Sequence, residues 1–487
     1  MSEHFDAVVV GSGPNGLTAA ARIARAGHRV LVLESANEIG GGTRSAALTI
    51  DGFVHDVCSS VHPFGAASPA FAALGLADAG LVWKHPPVPI AHPLDGGRAA
   101  WLERDVGSVA NEATRALSLG ADTRRWRRRV GPVERSFSNI IDEVFRPIVH
   151  VPAHPISLAR FGLAALRPAT KYASGFDTDL GAALFGGLAA HSAVSLDAPQ
   201  TAGLGLILGA AARVVGWPSA QGGSKSIAAA LAQVITDHGG EIATGQRVRT
   251  VNDIPHARAT LLDLSPKQFV DIYRDALPSK YVRNLLRFRH GPGALKVDYA
   301  LRGPVPWTAL ECRAAGTVHV GGTMLEIAAA QASVAAGGLA ERPFLICGQS
   351  TVADPSRAPN GCHTMWAYTH VPQGIDVESV VSGIVASMEQ QLERFAPGFR
   401  DLVMARHVMT PGMFETHNPN LHGGDIAAGA MNGLQLLFRP MLKVDPYRTP
   451  ADHVYMCSAS TPPGPGVHGM CGWNAAARAL RYSLTDV

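Results

Sequence analysis

Three glycines spaced Gly11-x-Gly13-x-x-Gly16, followed after one helix and one strand by Glu34, are suited to holding phosphate and ribose. Gly11 permits a tight turn, Gly13 lets backbone approach a pyrophosphate, and Gly16 lets a helix pack closely on a strand. The helix start then offers free N–H groups and a positive dipole end to the phosphates. Glu34 can accept hydrogen bonds from both hydroxyls of an adenosine ribose, and its charge disfavours the 2′-phosphate of NADP. A second cluster, Gly40-Gly41-Gly42, follows the acid. A plain NAD dehydrogenase has no need of it, so the cofactor reads as FAD. Near the other end, Ser458 to Gly472 holds four glycines and three prolines before a helix. Such a rigid loop with bare backbone donors can cradle the pyrimidine end of a flavin, where reduction develops charge near N1 and O2. Proton-handling candidates lie on two alternating stretches. Lys296 and Asp298 share one face of Leu295–Leu301, and Trp366, Tyr368 and His370 share one face of Met365–Val371. These faces either line a substrate cavity over the flavin or form a half-solvated sheet.

The positioning elements start with an apolar run at Ala7–Val10, a small-residue helix at Leu17–Ala26 and a second run at Val30–Leu33, a βαβ unit. Gly52–Cys58 reads as a strand, 65–83 as short helices, and 84–102 as a strand pair turned at Asp95-Gly96-Gly97. From about 106 to 214 the pattern is mainly helical. Ile156–Leu166, Leu180–Ala190 and Thr201–Val215 are nearly uncharged, yet none is a continuous apolar run long enough to span a bilayer. They are either buried helices or a greasy lid for an apolar substrate, with peripheral membrane contact as a consequence of the second reading. A helix at Ile227–His238 and a strand at Glu241–Thr244 return the chain to the cofactor, where the Val248 backbone can meet the adenine edge. Ala259–Asp263 is a further buried strand, with a helical stretch from Pro266 to Ala276. About 288–440 reads as an antiparallel sheet with inserted helices. His453–Cys457 is a last strand, with a helix from about Trp473.

Composition narrows the class. The 487 residues are 47% apolar and 17% charged with net charge +3, a globular chain with a large core and no nucleic-acid footprint. The basic run Arg124–Arg129 reads as a solvated helix face rather than an anion site. Six cysteines (58, 312, 347, 362, 457, 471) form no C-x-x-C pair, which suits a reducing compartment and argues against a zinc site, a disulfide framework or dithiol redox chemistry. No metal is expected. The polar leader before the first strand is too short for a signal peptide, so the expectation is a cytoplasmic protein. No second G-x-G-x-x-G follows a strand. Without a nicotinamide domain, the electron acceptor is oxygen, a quinone or another protein.

The two ends together resemble the phytoene desaturase-like branch of the FAD amine-oxidase superfamily, and most closely the pyridine nucleotide-disulphide oxidoreductase domain-containing protein 2 family. The phrases that carry the likeness are Gly222-Gly223-Ser224, Phe288-Arg289-His290 to Trp307, Thr317 to Gly322, Phe395 to Arg400, Asn418-Pro419-Asn420 to Asp425, and Ser458 to Gly472. The resemblance implies an α/β fold: a Rossmann-like, doubly wound FAD domain assembled from 1–80, 216–287 and 441–487. An inserted α+β substrate domain would span 81–215 and 288–440, with a helical lid at about 106–214. It also implies that Gly11, Gly13, Pro14, Asn15, Gly16, Glu34, Ser35, Gly41, Gly42, Thr43, Arg44 and Val248 contact FAD, as do Ser460, Gly466, Val467, His468 and Gly469. His468 stands where the desaturases carry proline, so it is either a proton donor or acceptor beside the flavin or a shaper of the loop. The implied activity is hydride exchange between flavin N5 and a carbon–carbon bond of a largely apolar small molecule, with His468, Lys296, Tyr368 and His370 as the catalytic candidates. A redox-neutral double-bond isomerase, an amine oxidase and a non-catalytic flavin-stabilised binding protein are the alternatives. Oligomeric state stays open.

Overall fold

The computed structural model describes residues 4–105 and 118–485. The strands of its two main sheets are, in chain order, β1 (Ala7–Val10), β2 (Val30–Leu33), β3 (Val88–Leu94), β4 (Arg98–Leu102), β5 (Glu241–Ala243), β6 (Ala259–Leu262), β7 (Gly293–Leu301), β8 (Ala315–Val320), β9 (Leu345–Gly348), β10 (His363–Val371), β11 (Val403–Met409) and β12 (Val454–Met456). The helices that matter to the site are α1 (Pro14–Arg25), α2 (Pro155–Ala165), α3 (Asp179–Ala190), α4 (Thr201–Val214), α5 (Lys225–Asp237) and α6 (Met470–Tyr482).

The first sheet runs β12-β6-β1-β2-β5, and every pair in it is parallel. Its strands are nearly continuous apolar runs because both faces are covered. α1, α5 and α6 lie on one side, and Phe269, Tyr273 and Leu285 close the other. The register sets Ala7 beside both Val30 and Ala259. The carboxyl ends of β1, β2, β6 and β12 therefore deliver Gly11, Glu34, Asp263 and Cys457 to one edge, the crevice where open α/β sheets bind ligands.

The second sheet runs β11-β7-β10-β9-β8-β3-β4. It is antiparallel except where β8 meets β3 in parallel, Ala315 beside Val88. The sheet expected from 288 to 440 thus gains the 84–102 hairpin as its edge. That hairpin turns at Asp95–Gly97, as its Asp-Gly-Gly signal requires. The strand expected over Gly52–Cys58 shrinks to His55–Asp56, paired with Ser45–Ala46. The buried carboxylate of Asp56 accepts from Ser45, Ser60 and Ser224 and ion-pairs with Arg357 at 2.8 Å. The last helix begins at Met470, earlier than Trp473, because Gly469 adopts φ +67° and starts it.

α3 and α4 are buried and packed face to face. A Cβ on Gly205 would lie 2.9 Å from the Phe185 ring, so glycine sets how closely they approach. α2 is different: none of its residues is buried. The Arg124–Arg129 run forms a helix that buries Trp126 and leaves Arg124, Arg127 and Arg128 in solvent. The first part of the expected lid, 106–117, lies outside the described residues. No helix among the described residues is long and apolar enough to cross a membrane.

A dinucleotide cleft ending in an apolar cavity

Two glycine loops meet at the carboxyl edge of the first sheet. Gly11 turns at φ +100° and Gly41 at φ +53°; a Cβ on Gly41 would lie 3.0 Å from Gly13 Cα, so both loops need bare backbone where they touch. A Cβ on Gly16 would fall 2.1 Å from the Gly11 carbonyl oxygen, which fixes how closely α1 follows β1. Glu34 braces the turn. Its Oε2 accepts from Ser12 N–H at 2.9 Å and Ser12 Oγ at 2.5 Å, and its Oε1 accepts from Ala36 N–H at 2.8 Å and Arg44 Nη2 at 3.3 Å. Thr43 Oγ1 donates to the Gly40 carbonyl and holds the second loop without facing the cleft.

Three cavities follow in series. The first is lined by Gly11, Gly13, Glu34, Ser35, Gly41, Arg44 and Val248. Val248 sits in the loop after β5, not in a strand. The second, about 150 Å³, shares Gly13, Asp263, Asn418 and Asn420 with the first and adds Pro14, Asn15, Gly42, Ser460, Gly466 and Val467. The third, about 270 Å³, shares Cys58, Gly466 and Val467 with the second and opens between α4 and the β7–β10 pair. Gly16 and Gly469 stand behind this surface as packing positions.

The residues present fit FAD. The cleft is a run of bare glycine backbone followed by a cavity large enough for a ring system, and the buried Asn15 Oδ1 beside the central cavity has no protein partner. Gly11–Asn15 and Gly41–Gly42 would hold the pyrophosphate, Glu34 and the Val248 loop the adenosine, and Ser460 with Gly466–Val467 the flavin.

Of the four catalytic candidates, the structure brings two together. β7 and β10 pair with Lys296 directly opposite Tyr368, and both line the third cavity. Lys296 Nζ donates to Asp298 Oδ1 at 2.6 Å, to Asp298 Oδ2 at 2.7 Å and to the Asp56 carbonyl at 2.7 Å. Burial raises the Asp298 carboxyl, an effect the adjacent ammonium counters. Burial likewise pushes the Tyr368 phenol above its ordinary value and the Cys58 thiol up to about 11.

His370 and His468 require correction. Although His370 shares a strand face with Tyr368, its ring lies beyond the third cavity, with Nδ1 at 3.1 Å from Gln331 Nε2 and burial lowering it to about 4. The His468 ring is also outside the cavity lining. It is buried behind the loop, its Nδ1 accepts from Met470 N–H at 3.0 Å, and it packs on Phe145 at 4.9 Å. Burial holds it down to about 4, and the Pro465 and Gly464 carbonyls only partly offset this. These contacts fit the loop-shaping reading of His468. His468→Asn should therefore cost about 1 kcal/mol of stability and leave turnover and its pH profile near wild type. A fall of about a hundredfold, the usual worth of a proton-transfer group, would return it to the chemistry.

Other residues were not legible as site residues. His191 and His62 line the third cavity, with burial lowering them to about 3 and about 4, so both are neutral at pH 7. Asp263 faces the first and second cavities. Its one sequence signal is its place after a buried strand, equivalent to that of Glu34 after β2.

Among known proteins, residues 9–74 match the NAD(P)-binding Rossmann-like domain family. Over 98% of its length the chain is 24% identical to rat pyridine nucleotide-disulfide oxidoreductase domain-containing protein 2, covering 93% of that protein. It is 27% identical to the neurosporene-forming phytoene desaturase of Rhodobacter capsulatus over 52% of this chain and 51% of that one. A solved structure of a putrescine oxidase variant superposes over 99% of both chains with a TM-score of 0.63 at 16% identity, a likeness of fold. Fold, glycine cleft and near full-length similarity together make this a flavin-type oxidoreductase, similar in sequence to a phytoene desaturase and in fold to a putrescine oxidase.

Proposed function

We propose that the protein dehydrogenates or saturates a carbon–carbon bond of a largely apolar small molecule held in the third cavity. The observation that carries this reading is the cavity wall. Leu204, Leu208, Trp217, Ile346, Trp366 and Phe414 surround it, Lys296 is the one charged side chain among the described lining residues, and no carboxylate joins them. A cationic amine would meet a like charge and no counterion, so the wall favours an uncharged substrate.

When bound, FAD supplies two-electron hydride chemistry at N5. The chain does the rest. The apolar wall binds the substrate by burial and excludes water. Lys296 holds a fixed positive charge and its protons at Nζ, aimed by Asp298 and the Asp56 carbonyl, where it can stabilise negative charge that develops as a proton leaves carbon. In the dehydrogenating direction the acceptor that returns the enzyme to its oxidised form is oxygen, a quinone or another protein; in the saturating direction a two-electron donor must instead re-reduce the flavin. The test is anaerobic mixing of FAD-loaded protein with a panel of apolar alkenes and their saturated analogues, and separately with amines. Bleaching of the oxidised flavin band by a member of the apolar panel supports the reading. Bleaching by amines alone, with peroxide released on admitting oxygen, overturns it.

The outer surface supports a bilayer as the source of such a substrate. α2 turns Ile156 and Leu163 outward at 68% and 77% exposure, Leu166 after it is 54% exposed, and Val151 before it is 89% exposed. From Arg146 to Phe176 the chain has no Asp or Glu but carries Arg146, Arg160, Arg167 and Lys171. Ile148 and Val149 share a crevice with Lys443 and Val444, bringing in a second exposed apolar segment. Apolar protrusions on a segment whose own charged side chains are all cations, with Asp142 beside His154 at its edge, fit an anionic membrane surface. α2 also packs on α4, where Ala165 approaches Gly203, and α4 carries Leu204 and Leu208 into the cavity. The protein should float with vesicles containing anionic lipid and not with zwitterionic ones, and Ile156→Glu with Leu163→Glu should abolish this. A stable dimer lost in the same variant, with no flotation, would assign the face to a second copy instead.

A further inference from the structure

A second carboxyl group touches the glycine turn, that of Asp263 at the end of β6. Its Oδ2 accepts the Gly16 N–H at 2.9 Å, and Gly16 is in the first turn of α1. The same oxygen lies 2.6 Å from where a Cβ on Gly13 would stand, so glycine at 13 makes room for this carboxyl as well as for a ligand. The side chain is 5% exposed and faces the first and second cavities of the cleft. A donor expected to serve a pyrophosphate is thus already engaged by an acid of the protein's own.

The surroundings offer that acid little compensation. Glu34 faces it from the end of β2, the thiols of Cys457 and Cys471 face it from after β12 and from α6, and Asn420 donates only to its backbone carbonyl. Of the guanidiniums that line the first cavity with it, Arg44 is paired with Glu34, and Arg247 and Arg249 flank Val248 on the loop after β5. No lysine or arginine ion-pairs with Asp263 among the described residues. Two phosphate charges entering here would add repulsion in a buried setting where each unit charge is weakly screened.

We propose that Asp263 is a neutral acid in the loaded protein: dinucleotide binding takes up one proton from solvent at this carboxylate, leaving one oxygen on Gly16 N–H and making the other an O–H donor toward the pyrophosphate. This rests on the FAD reading of the cleft. Burial supports it by raising Asp263 to about 7, with Glu34 adding to the rise and the Gly16 N–H opposing it. The sign follows from linkage. The protonated form binds better, so affinity is greatest below the free protein's value. It falls as pH climbs through 7, by up to about tenfold per pH unit, until the bound protein also ionises.

Apoprotein titrated with FAD by flavin fluorescence from pH 6 to 9, with calorimetry in two buffers of different ionisation enthalpy, tests this without turnover. Wild type should bind more weakly as pH rises and take up a fraction of a proton above pH 7. Asp263→Asn, neutral at every pH and able to accept from Gly16, should bind evenly across the range at or above the wild-type acid affinity, with no proton uptake. Asp263→Ala should also be flat but weaker, since Gly16 loses its acceptor. A pH dependence that persists in Asp263→Asn, or an Asn variant that binds much more weakly than wild type throughout, overturns the proposal while leaving the FAD reading intact. Failure of wild type to bind FAD at any pH removes that reading and the proposal with it.

Discussion

Replacing Lys296 with methionine should lower turnover at least about a hundredfold while FAD stays bound, a loss in the range seen when a fixed electrostatic or proton-transfer group is removed. Methionine keeps the length of the side chain and the cavity shape but deletes the one charge on the wall. The variant needs a partner, because it strands Asp298, which is fully buried with His55 Nδ1 at 3.6 Å and His407 opposite it on β11. Leaving a buried carboxylate unpaired costs about 3–5 kcal/mol. Lys296→Met with Asp298→Asn should regain the thermal stability and not the turnover. Recovery of turnover in the double variant would show that Lys296 matters only for folding. Asp298→Asn alone should separate positioning from chemistry: Lys296 Nζ keeps the Asp56 carbonyl as an acceptor but is less firmly aimed, so kcat falls less than in Lys296→Met and KM changes little.

The second large effect lies far from the chemistry. Gly472→Ala should release FAD and cost about 3 kcal/mol of stability, the upper part of the ordinary overpacking range. α6 crosses α1 so closely that a Cβ at 472 would stand 1.8 Å from the Asn15 carbonyl oxygen and 3.1 Å from the Ala19 nitrogen. These are backbone atoms, which cannot rotate away, so the helices must part. The end of α1 that moves is the end that presents Gly13–Asn15 to the cleft. Flavin content after purification and the melting temperature of the apoprotein check the two halves of this prediction separately. Retained FAD with normal melting would mean that the helices tolerate separation.

How much of this was readable follows from how local each signal is. Gly11–Gly16, the Gly40–Gly42 cluster and Glu34 carry their meaning within one βαβ unit, and the structure puts them at one crevice. The alternation of Lys296 with Asp298, and of Trp366 with Tyr368, gave the correct faces because strand geometry forces it. It did not say that the Lys296 charge would be aimed by the Asp56 carbonyl, which arrives from 240 residues away in sequence. His370 obeyed the alternation and still missed the cavity, because the wall ends before the strand does. His468 was misplaced for a different reason. A loop with Gly464 at φ +106° and Gly466 at φ +131° can turn a side chain either way, and only packing on Phe145 decides it. Asp263 and Gly472 matter through contacts with the glycine turn that no sequence window contains.

A structure of the FAD-loaded protein tests the central claim most directly. The account predicts the adenine beside Val248, the pyrophosphate over Gly13 and Asn15 within reach of Asp263, and the isoalloxazine between Gly466–Val467 and the wall bearing Lys296 and Tyr368, with apolar space left on its far side. An isoalloxazine ring placed away from Lys296, or one sealed in by Trp217, Trp366 and Phe414 with no space beside N5, would contradict it.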